Sequence, residues 1–276
     1  RRKNKVSKYK ENLTLNKLYS AISDRHNVWE STINSDYTHY KFMSPDDEDT
    51  FKHNLQINSK ILLDNNWIDS KNNLVDIDYK INKQGFRCDH FSDEEGILFL
   101  GCSFTFGVGL HEHQTWAYKV ADNYNTKCWN LGIPGHGFDI HSYFVNCHLK
   151  EELPNVKAIC MLQTPPERIS LLQDRGDEIC LQDYFTILQT NEDKAHTILY
   201  KDFTQSLEMS YEMNNLKNRK SIENFCKLHN MPFVYLEPKS ALSDFYMKPS
   251  NARDCQHHGE TENTHIANKV IEKLDK

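Results

Sequence analysis

The sequence lacks any apolar run that approaches the roughly 18 residues of a membrane-spanning helix. It also lacks an excess of positive charge, since 33 Lys and Arg residues stand against 39 Asp and Glu for a net charge of -6. These two absences argue against a membrane span and against nucleic-acid binding as the main activity. With 276 residues, the chain is long enough for one large domain or for a domain with a sizeable extension.

The eight cysteines are too sparse for a small scaffold held together by disulfides. No two of them have the C-x-x-C spacing of a redox or zinc motif. Cys102, Cys128 and Cys160 lie in or beside apolar runs, where cysteine behaves as a small hydrophobic residue. We therefore expect free, buried thiols and a reducing, cytoplasmic compartment. The sequence begins at Arg1 rather than Met, so it carries no information on a secretion signal ahead of it.

Glycine is almost missing from the first 95 residues, where Gly85 is alone. This region is rich in Lys, Asn and Asp, and its first dozen residues are typical of a basic, solvated tail. Residues 13–28 and 50–66 are predicted to form helices, and the alternation of polar and apolar residues at 76–82 predicts a strand. We interpret residues 1–95 as an extension packed on a main domain at 96–276.

From residue 96 onward, short apolar runs alternate with helix-like stretches. The predicted strands are 97–100, 128–131, 158–162 and 233–236, and the predicted helices are 113–125, 138–149, 201–229 and 264–274. This alternation predicts an α/β fold with a parallel sheet covered on both faces. Right-handed crossovers then bring the carboxyl ends of all strands to one edge. Residues 173–200 look irregular and are predicted to be an insertion over that edge.

Chemically useful residues follow each predicted strand. Ser103 comes after the first strand, a Gly-rich turn with Gly135 comes after the second, and Gln163 begins the segment after the third. Asp254 and His257 precede the last predicted helix. Because these segments approach one sheet edge, a serine, a histidine with an aspartate and free backbone N–H groups are predicted to form a site for acyl transfer.

Each of these residues has a role that acyl transfer needs. A serine hydroxyl is a weak nucleophile at neutral pH and requires a base within hydrogen-bond reach. His257 is predicted to take the Ser103 proton, and Asp254 to orient the imidazole and stabilise its cation. The amides of Ser103 and Gly135 are predicted to bind the developing oxyanion. His258 is the alternative base if the register is shifted by one residue.

Three motifs resemble those of the SGNH (GDSL-type) hydrolases. Gly-Cys-Ser-Phe-Thr-Phe-Gly at 101–107 is similar to the first block of that family, and Asn-Leu-Gly-Ile-Pro-Gly at 130–135 to the second, whose final glycine supplies an oxyanion amide. Asp-Cys-Gln-His at 254–257 is similar to the Asp-x-x-His block, which holds the other two triad members. The resemblance covers residues 96–276. It implies a three-layer α/β/α flavodoxin-like sandwich that hydrolyses esters, thioesters or acetylated sugars.

The chain departs from that family at two places. Cys102 stands where the family usually has an acidic residue before the serine, and no Gly-x-Asn-Asp block follows the third strand. Gln163 or Thr164 is predicted to donate to the oxyanion in place of the missing Asn. The pocket is predicted to include His136, Arg168 and His258.

Other chemistries are less well supported by the residue patterns. The His-x-His pair of His111 and His113 has no spaced carboxylate or cysteine partner, so we predict no metal site and no cofactor. Neither Gly-rich run has the Gly-Lys-Ser/Thr sequence of a phosphate loop. Cys102 is expected to point away from Ser103 in an extended chain and to serve in packing rather than as a nucleophile.

The sequence thus predicts a serine esterase that forms an acyl-enzyme and acts on a carboxylic ester, with a small-molecule or glycan substrate. Two alternatives remain open. One is a weak or inactive binding module on the same fold, which the missing Asn block favours. The other is an O-acyltransferase that uses the same three residues with an acceptor hydroxyl in place of water. The oligomeric state does not follow from the sequence pattern.

Overall fold

The computed structural model describes residues 32–34, 37–166, 168, 170–174, 179–183, 208–244 and 249–276. The strands are β1 (Thr32–Asn34), β2 (Tyr37–Tyr40), β3 (Tyr79–Ile81), β4 (Gly96–Leu100), β5 (Lys127–Asn130), β6 (Val156–Leu162), β7 (Ser170–Asp174), β8 (Ile179–Asp183) and β9 (Phe233–Leu236). The helices are α1 (Glu48–Ile57), α2 (Ser59–Asp64), α3 (Ser103–Phe106), α4 (Trp116–Asn123), α5 (Asp139–Cys147), α6 (Leu149–Glu152), α7 (Glu208–Leu228), α8 (Pro238–Ala241) and α9 (Glu260–Leu274).

Four strands form a parallel sheet in the order β5-β4-β6-β9. Phe99 pairs with Asn130, Leu100 with Met161, and Leu162 with Leu236, so the carboxyl ends of the strands lie at one edge. The four predicted strands are confirmed, each to within two residues at either end. The apolar runs are short and uninterrupted because both faces of a parallel sheet are buried.

Helices cover both faces of this sheet. On one face, Ala117 and Val120 of α4 and Ile266 of α9 pack with sheet residues in one apolar cluster. On the other face, Phe144 of α5 and Ile222 of α7 pack in a second cluster. The predicted three-layer α/β/α arrangement is therefore confirmed.

Several predicted helices differ from the observed ones at their ends. The predicted helix at 113–125 is a 3₁₀ turn at Glu112–Gln114 followed by α4, because the side chain of Thr115 accepts the Tyr118 amide and caps a new helix there. The helix predicted from residue 264 begins four residues earlier, at Glu260. The predicted helix at 50–66 is the pair α1 and α2, separated at Asn58.

Residues 37–95, here called the N-terminal region, pack against the main sheet domain. Its strands β2 and β3 pair antiparallel, with β1 of the preceding residues on the other side of β2, and an apolar cluster of this region contains Trp67 and Tyr79. The same cluster includes Phe106, Val108 and Ala252, which belong to the strand-end loops. The division of the chain at residue 95 stays a prediction, and the predicted helix at 13–28 lies outside the described residues.

The region predicted to be irregular, 173–200, contains ordered backbone in its described part. Strands β7 and β8 pair antiparallel, with Leu172 opposite Leu181. The prediction of irregular structure is therefore wrong for 173–174 and 179–183, which belong to two antiparallel strands with apolar residues at their centres. The remaining residues of that stretch lie outside the described ones.

The seven cysteines whose side chains are described are all free thiols. Cys102 and Cys160 are buried as expected, Cys128 is half-buried, and Cys147 is exposed on the last turn of α5. No helix in the described part of the chain combines the length and the apolar character that a membrane crossing requires.

Candidate active site

Ser103 lies directly after β4, as the first residue of the short helix α3. Its side chain is largely buried, with 5% of the residue exposed. The loop that follows β5 approaches this helix so closely that a Cβ on Gly132 would lie 2.3 Å from the amide nitrogen of Phe106. Only glycine permits this contact, which fixes the second strand-end loop against the serine.

Ser103, His257 and Asp254 form a continuous chain of hydrogen bonds. His257 Nδ1 lies 2.5 Å from Asp254 Oδ2, and His257 Nε2 lies 2.8 Å from Ser103 Oγ. Because the carboxylate is an acceptor only, Nδ1 donates to it, which leaves Nε2 to accept the serine hydroxyl proton. The structure therefore brings together the three residues that the sequence singled out, although Ser103 and His257 are 154 positions apart in the chain.

A tight turn positions the aspartate and the histidine relative to each other. Asp254 is 1% exposed, and its Oδ1 accepts the backbone amides of Gln256 and His257, both at 3.1 Å. Cys255 adopts a left-handed backbone conformation with φ of 58°. Both Asp254 oxygens thus have donors within the turn. These bonds fix the orientation of the carboxylate, and the carboxylate in turn orients the imidazole of His257.

The turn after β5 runs beside the serine segment. The Ile133 amide donates to the Gly101 carbonyl at 3.0 Å, and the Asn130 side chain donates to the Thr105 carbonyl at 2.8 Å. Gly135 lies two residues after Ile133, and Ser103 lies two residues after Gly101. The hydrogen bond between Ile133 and Gly101 therefore joins the chain at equivalent positions ahead of Gly135 and Ser103. Within the described part of the chain, no backbone acceptor is found for the amides of Ser103 and Gly135.

The other predicted donors and pocket residues have fewer contacts with this group. Thr164 is buried and Gln163 half-buried, just past β6, and among the described residues neither side chain bonds to Ser103. His136 is buried, and its Nδ1 lies 3.0 Å from the Pro134 carbonyl. The Arg168 carbonyl would lie 2.0 Å from a Cβ on Gly137, so its loop touches the turn that contains His136. Their predicted roles stay predictions.

His257, and not its neighbour His258, makes the bond to the serine. The ring of His258 lies 5.2 Å from that of Phe104, and the His257 ring lies 4.9 Å from the same phenyl group. Burial lowers the pKa of His258, with the nearby Glu262 acting in the opposite direction. The shifted register in which His258 is the base is therefore not the one that the structure adopts.

Cys102 is buried, in agreement with a packing role, but the reason given for it from the sequence is wrong. Its sulfur lies 4.0 Å from Ser103 Oγ, because Ser103 starts a helix and the chain is not extended there. The two side chains therefore do not point to opposite sides.

Sequence reasoning missed that the N-terminal region holds the loop of Asp254 and His257. The Asn54 side chain donates to the Asp254 carbonyl at 2.9 Å, and the Trp67 indole donates to the Asn251 carbonyl at 2.7 Å. Arg253, which directly precedes Asp254, is fully buried and forms an ion pair with Asp46 at 2.8 Å. The only available signal was an arginine beside the predicted aspartate.

The remaining histidines of the described segments are not grouped with other metal ligands. Among the described residues, no group of three His, Cys, Asp or Glu side chains is placed to hold an ion. His111 and His113 stack at 5.5 Å between ring centres. His141 is buried, and its Nε2 donates to the Leu131 carbonyl at 2.9 Å, so it supports the loop after β5.

Two surface cavities lie away from the hydrogen-bonded group. One, of about 460 Å³, is lined by the starts of β4 and β5 and by α4, with Glu94, Glu112 and Lys127 among its residues. The other, of about 410 Å³, is lined by β9, α8 and α9, with Lys269 and Lys273. Neither includes Ser103, so the size of the substrate site is not defined by them.

Comparison with known proteins gives a likeness in structure alone. No family model matches the sequence, and no curated protein matches it. A protein from Desulfitobacterium hafniense DCB-2 named for the G-D-S-L family of lipolytic proteins is 12% identical, with a TM-score of 0.34, over 64% of this chain and 98% of its own. A protein of the same family name from Veillonella parvula DSM 2008 is 15% identical, with a TM-score of 0.34, over 65% of this chain and 98% of its own. Both carry the name of the family that the three motifs resemble. Because the sequence identities and TM-scores are low, the description of the site depends on the distances within this chain.

Proposed function

We propose that this protein is a serine hydrolase that cleaves an ester bond through an acyl-enzyme. The observation that carries the proposal is the hydrogen-bond chain, with 2.8 Å from Ser103 Oγ to His257 Nε2 and 2.5 Å from His257 Nδ1 to Asp254 Oδ2. A nucleophile, a base and a group that orients the base are the parts that acyl transfer requires.

The chemistry follows from these contacts. His257 Nε2 removes the proton of Ser103 as the oxygen attacks the ester carbonyl carbon, and the carbonyl oxygen becomes an oxyanion. The imidazolium then gives the proton to the leaving alkoxide, which departs as an alcohol. Water, deprotonated by the same imidazole, attacks the acyl group, and the acid leaves as Ser103 Oγ recovers its proton. Asp254 stabilises the imidazolium in both halves and keeps Nε2 directed at the serine.

The oxyanion donors belong to the proposal as well. The amides of Ser103 and Gly135 have no backbone acceptor among the described residues, and the bond from Ile133 to Gly101 keeps their two segments side by side. Each such donor typically contributes about 10²–10³ in rate. Gln163 and Thr164, which follow the adjacent strand β6, are candidates for a third donor.

The substrate that we propose is a carboxylic ester with a small acyl group, an acetyl ester on a carbohydrate among them. Ser103 is 5% exposed and the rings of Phe104 and His257 are 4.9 Å apart, so little room is left around the attacking oxygen. A short acyl chain therefore fits this surrounding better than a long one.

Replacing Ser103 tests the proposal. Ser103→Ala should abolish hydrolysis of p-nitrophenyl acetate and labelling by a fluorophosphonate probe, while circular dichroism stays unchanged. Ser142→Ala, at another buried serine on α5, is the matched control and should keep both activities. Full hydrolysis by Ser103→Ala, or equal labelling of both variants, would show that Ser103 is not the nucleophile.

A further inference from the structure

A buried polar network joins the N-terminal region to both halves of the proposed site. The Arg253 guanidinium contacts both oxygens of Asp46, with Nη2 at 2.8 Å and Nε at 3.0 Å and 3.1 Å, and neither residue is exposed. The same guanidinium donates to the backbone carbonyls of Lys41 at 2.6 Å and Val75 at 3.2 Å. Arg253 is thus held by two segments of the N-terminal region, the loop at 41–46 and the chain at Val75.

Tyr79 connects this ion pair to the segment that follows the serine. Its hydroxyl donates to Asp46 Oδ2 at 2.5 Å and accepts the Gly109 amide at 2.7 Å. Burial, and then the Asp46 carboxylate, raise the pKa of Tyr79 well above its ordinary value, so the hydroxyl keeps the proton that it donates. One phenol therefore bonds to the partner of Arg253 and to the chain six residues after Ser103.

The two loops also touch directly at this point. The Arg253 amide donates to the Gly109 carbonyl at 2.9 Å. Gly109 has φ of 72°, and a Cβ there would lie 2.8 Å from the Ala252 Cβ and 2.9 Å from the Arg253 nitrogen. The segment after Ser103 and the segment before Asp254 are therefore packed too closely for either to move without the other.

We propose that Asp46, Tyr79 and Arg253 form a positioning unit, in which the N-terminal region fixes the distance between His257 and Ser103. The proposal rests on the proposed function, because it concerns the same hydrogen bond. None of the three side chains touches the reacting atoms. They act through the backbone of residues 252–254 and 107–110, so the N-terminal region is part of the active site and not a separable attachment.

The unit predicts a loss of turnover that is separate from a loss of stability. Tyr79→Phe removes one oxygen, which breaks the bonds to Asp46 and to Gly109 while the ion pair stays. Because small displacements of reacting groups reduce rates strongly, we expect kcat for p-nitrophenyl acetate to fall about tenfold to a hundredfold, with KM unchanged. The Nδ1 proton of His257, in its 2.5 Å bond, should lose or shift its downfield NMR resonance.

The matched control is Ile77→Val, which removes one methyl group from the same buried cluster and removes no hydrogen bond of the three polar side chains. Assayed below both melting transitions, Ile77→Val should keep wild-type kcat and the His257 resonance. If Tyr79→Phe also kept them, or if kcat in both variants fell in proportion to thermal stability, the positioning unit would be disproved. Should Tyr79→Phe not fold, Arg253→Lys is measured in the same way and decides, because it keeps the charge opposite Asp46 but lacks the guanidinium that also reaches the Lys41 and Val75 carbonyls.

Failure of the proposed function gives a different result. If the wild-type protein neither hydrolyses the ester nor reacts with the fluorophosphonate probe, the hydrolase proposal is wrong, and the NMR arm still tests the positioning unit. A His257 resonance that is present in wild type and Ile77→Val but altered in Tyr79→Phe supports the unit. A resonance that is identical in all three proteins overturns it.

Discussion

Ser103 and His257 reach their common hydrogen bond by different structural means. Ser103 is placed by the strand that precedes it, since β4 is fully buried and the helix α3 begins where that strand ends. His257 lies on a turn outside any helix or strand, and residues about 200 positions earlier in the chain hold that turn. One half of the site depends on local sequence, and the other depends on distant contacts.

This difference separates two kinds of sensitivity to mutation. A substitution near Ser103 must disturb a sheet with helices on both faces before the serine moves. A substitution in the N-terminal region has to break only a few buried polar contacts to release the turn of Asp254 and His257. We therefore expect that different mutations will separately affect the catalytic groups, the position of the turn of Asp254 and His257, and the stability of the fold.

The largest expected effect follows from changing the aspartate while the turn stays in place. Asp254→Asn keeps an oxygen that can accept the amides of Gln256 and His257, but its amide cannot hold the imidazole in the same tautomer. We expect kcat to fall by about 10⁴ with little change in unfolding temperature. The measurement is ester hydrolysis beside a thermal melt. If most of the activity remained, the carboxylate would not orient His257, and the two halves of the site would not act together.

The sequence predicted the half of the site that depends on local pattern. An apolar run that ends in glycine, followed by a serine, identified both β4 and Ser103, because buried strands and their ends have a short-range signature. The Asp-x-x-His spacing singled out Asp254 and His257 for a similar reason, since residues three apart can meet within one turn of the chain. These parts needed no knowledge of distant contacts.

The contacts of the N-terminal region could not be predicted in the same way. Arg253, Asp46 and Asn54 carry no periodic signal. Arg253 bonds to Asp46 across 207 positions of the sequence, and Asn54 bonds to Asp254 across 200. Pairing at such separation is decided by the packing of whole elements and not by local propensity. The break between α1 and α2 was missed because Asn58 is compatible with a helix, and only the structure shows the second helix beginning there.

A smaller effect, on stability first, is expected when the buried ion pair loses one partner. Arg253→Met leaves the Asp46 carboxylate buried without its counter-ion, and such a loss typically destabilises a protein by about 3–5 kcal/mol. The measurement is the free energy of unfolding in urea. An unfolding free energy equal to that of wild type would show that Asp46 is compensated by other groups.

The double variant Asp46→Leu/Arg253→Met distinguishes stability from positioning. Replacing both members of a buried ion pair with apolar side chains avoids leaving one charge buried alone, so this protein should be more stable than Arg253→Met. Its kcat should be lower than that of wild type, because the hydrogen bonds to the Lys41 and Val75 carbonyls are lost. Recovery of kcat together with stability would mean that the ion pair serves the fold alone.

The smallest expected effect concerns His141, which supports the loop after β5 on the side of Ser103. Burial lowers the pKa of His141 to about 4, although its hydrogen bond to the Leu131 carbonyl acts in the opposite direction. Because the neutral form is favoured in the folded state, the unfolded chain binds the proton first as the pH falls. Stability is therefore full above about pH 6.5 and is lost progressively between about pH 6.5 and 4, by up to about 3 kcal/mol.

Comparing His141→Gln with wild type isolates this contribution. Urea unfolding from pH 7 to pH 4.5 should show a shallower loss of stability in the variant, because glutamine can still donate to the Leu131 carbonyl but does not titrate. His229→Gln is the control, since it makes the same change of side chain at an exposed position at the end of α7, away from the loop after β5. Parallel curves for wild type and His141→Gln would mean that other groups cause the loss of stability in acid. The loop beside Ser103 would then make no pH-dependent contribution to the free energy of unfolding.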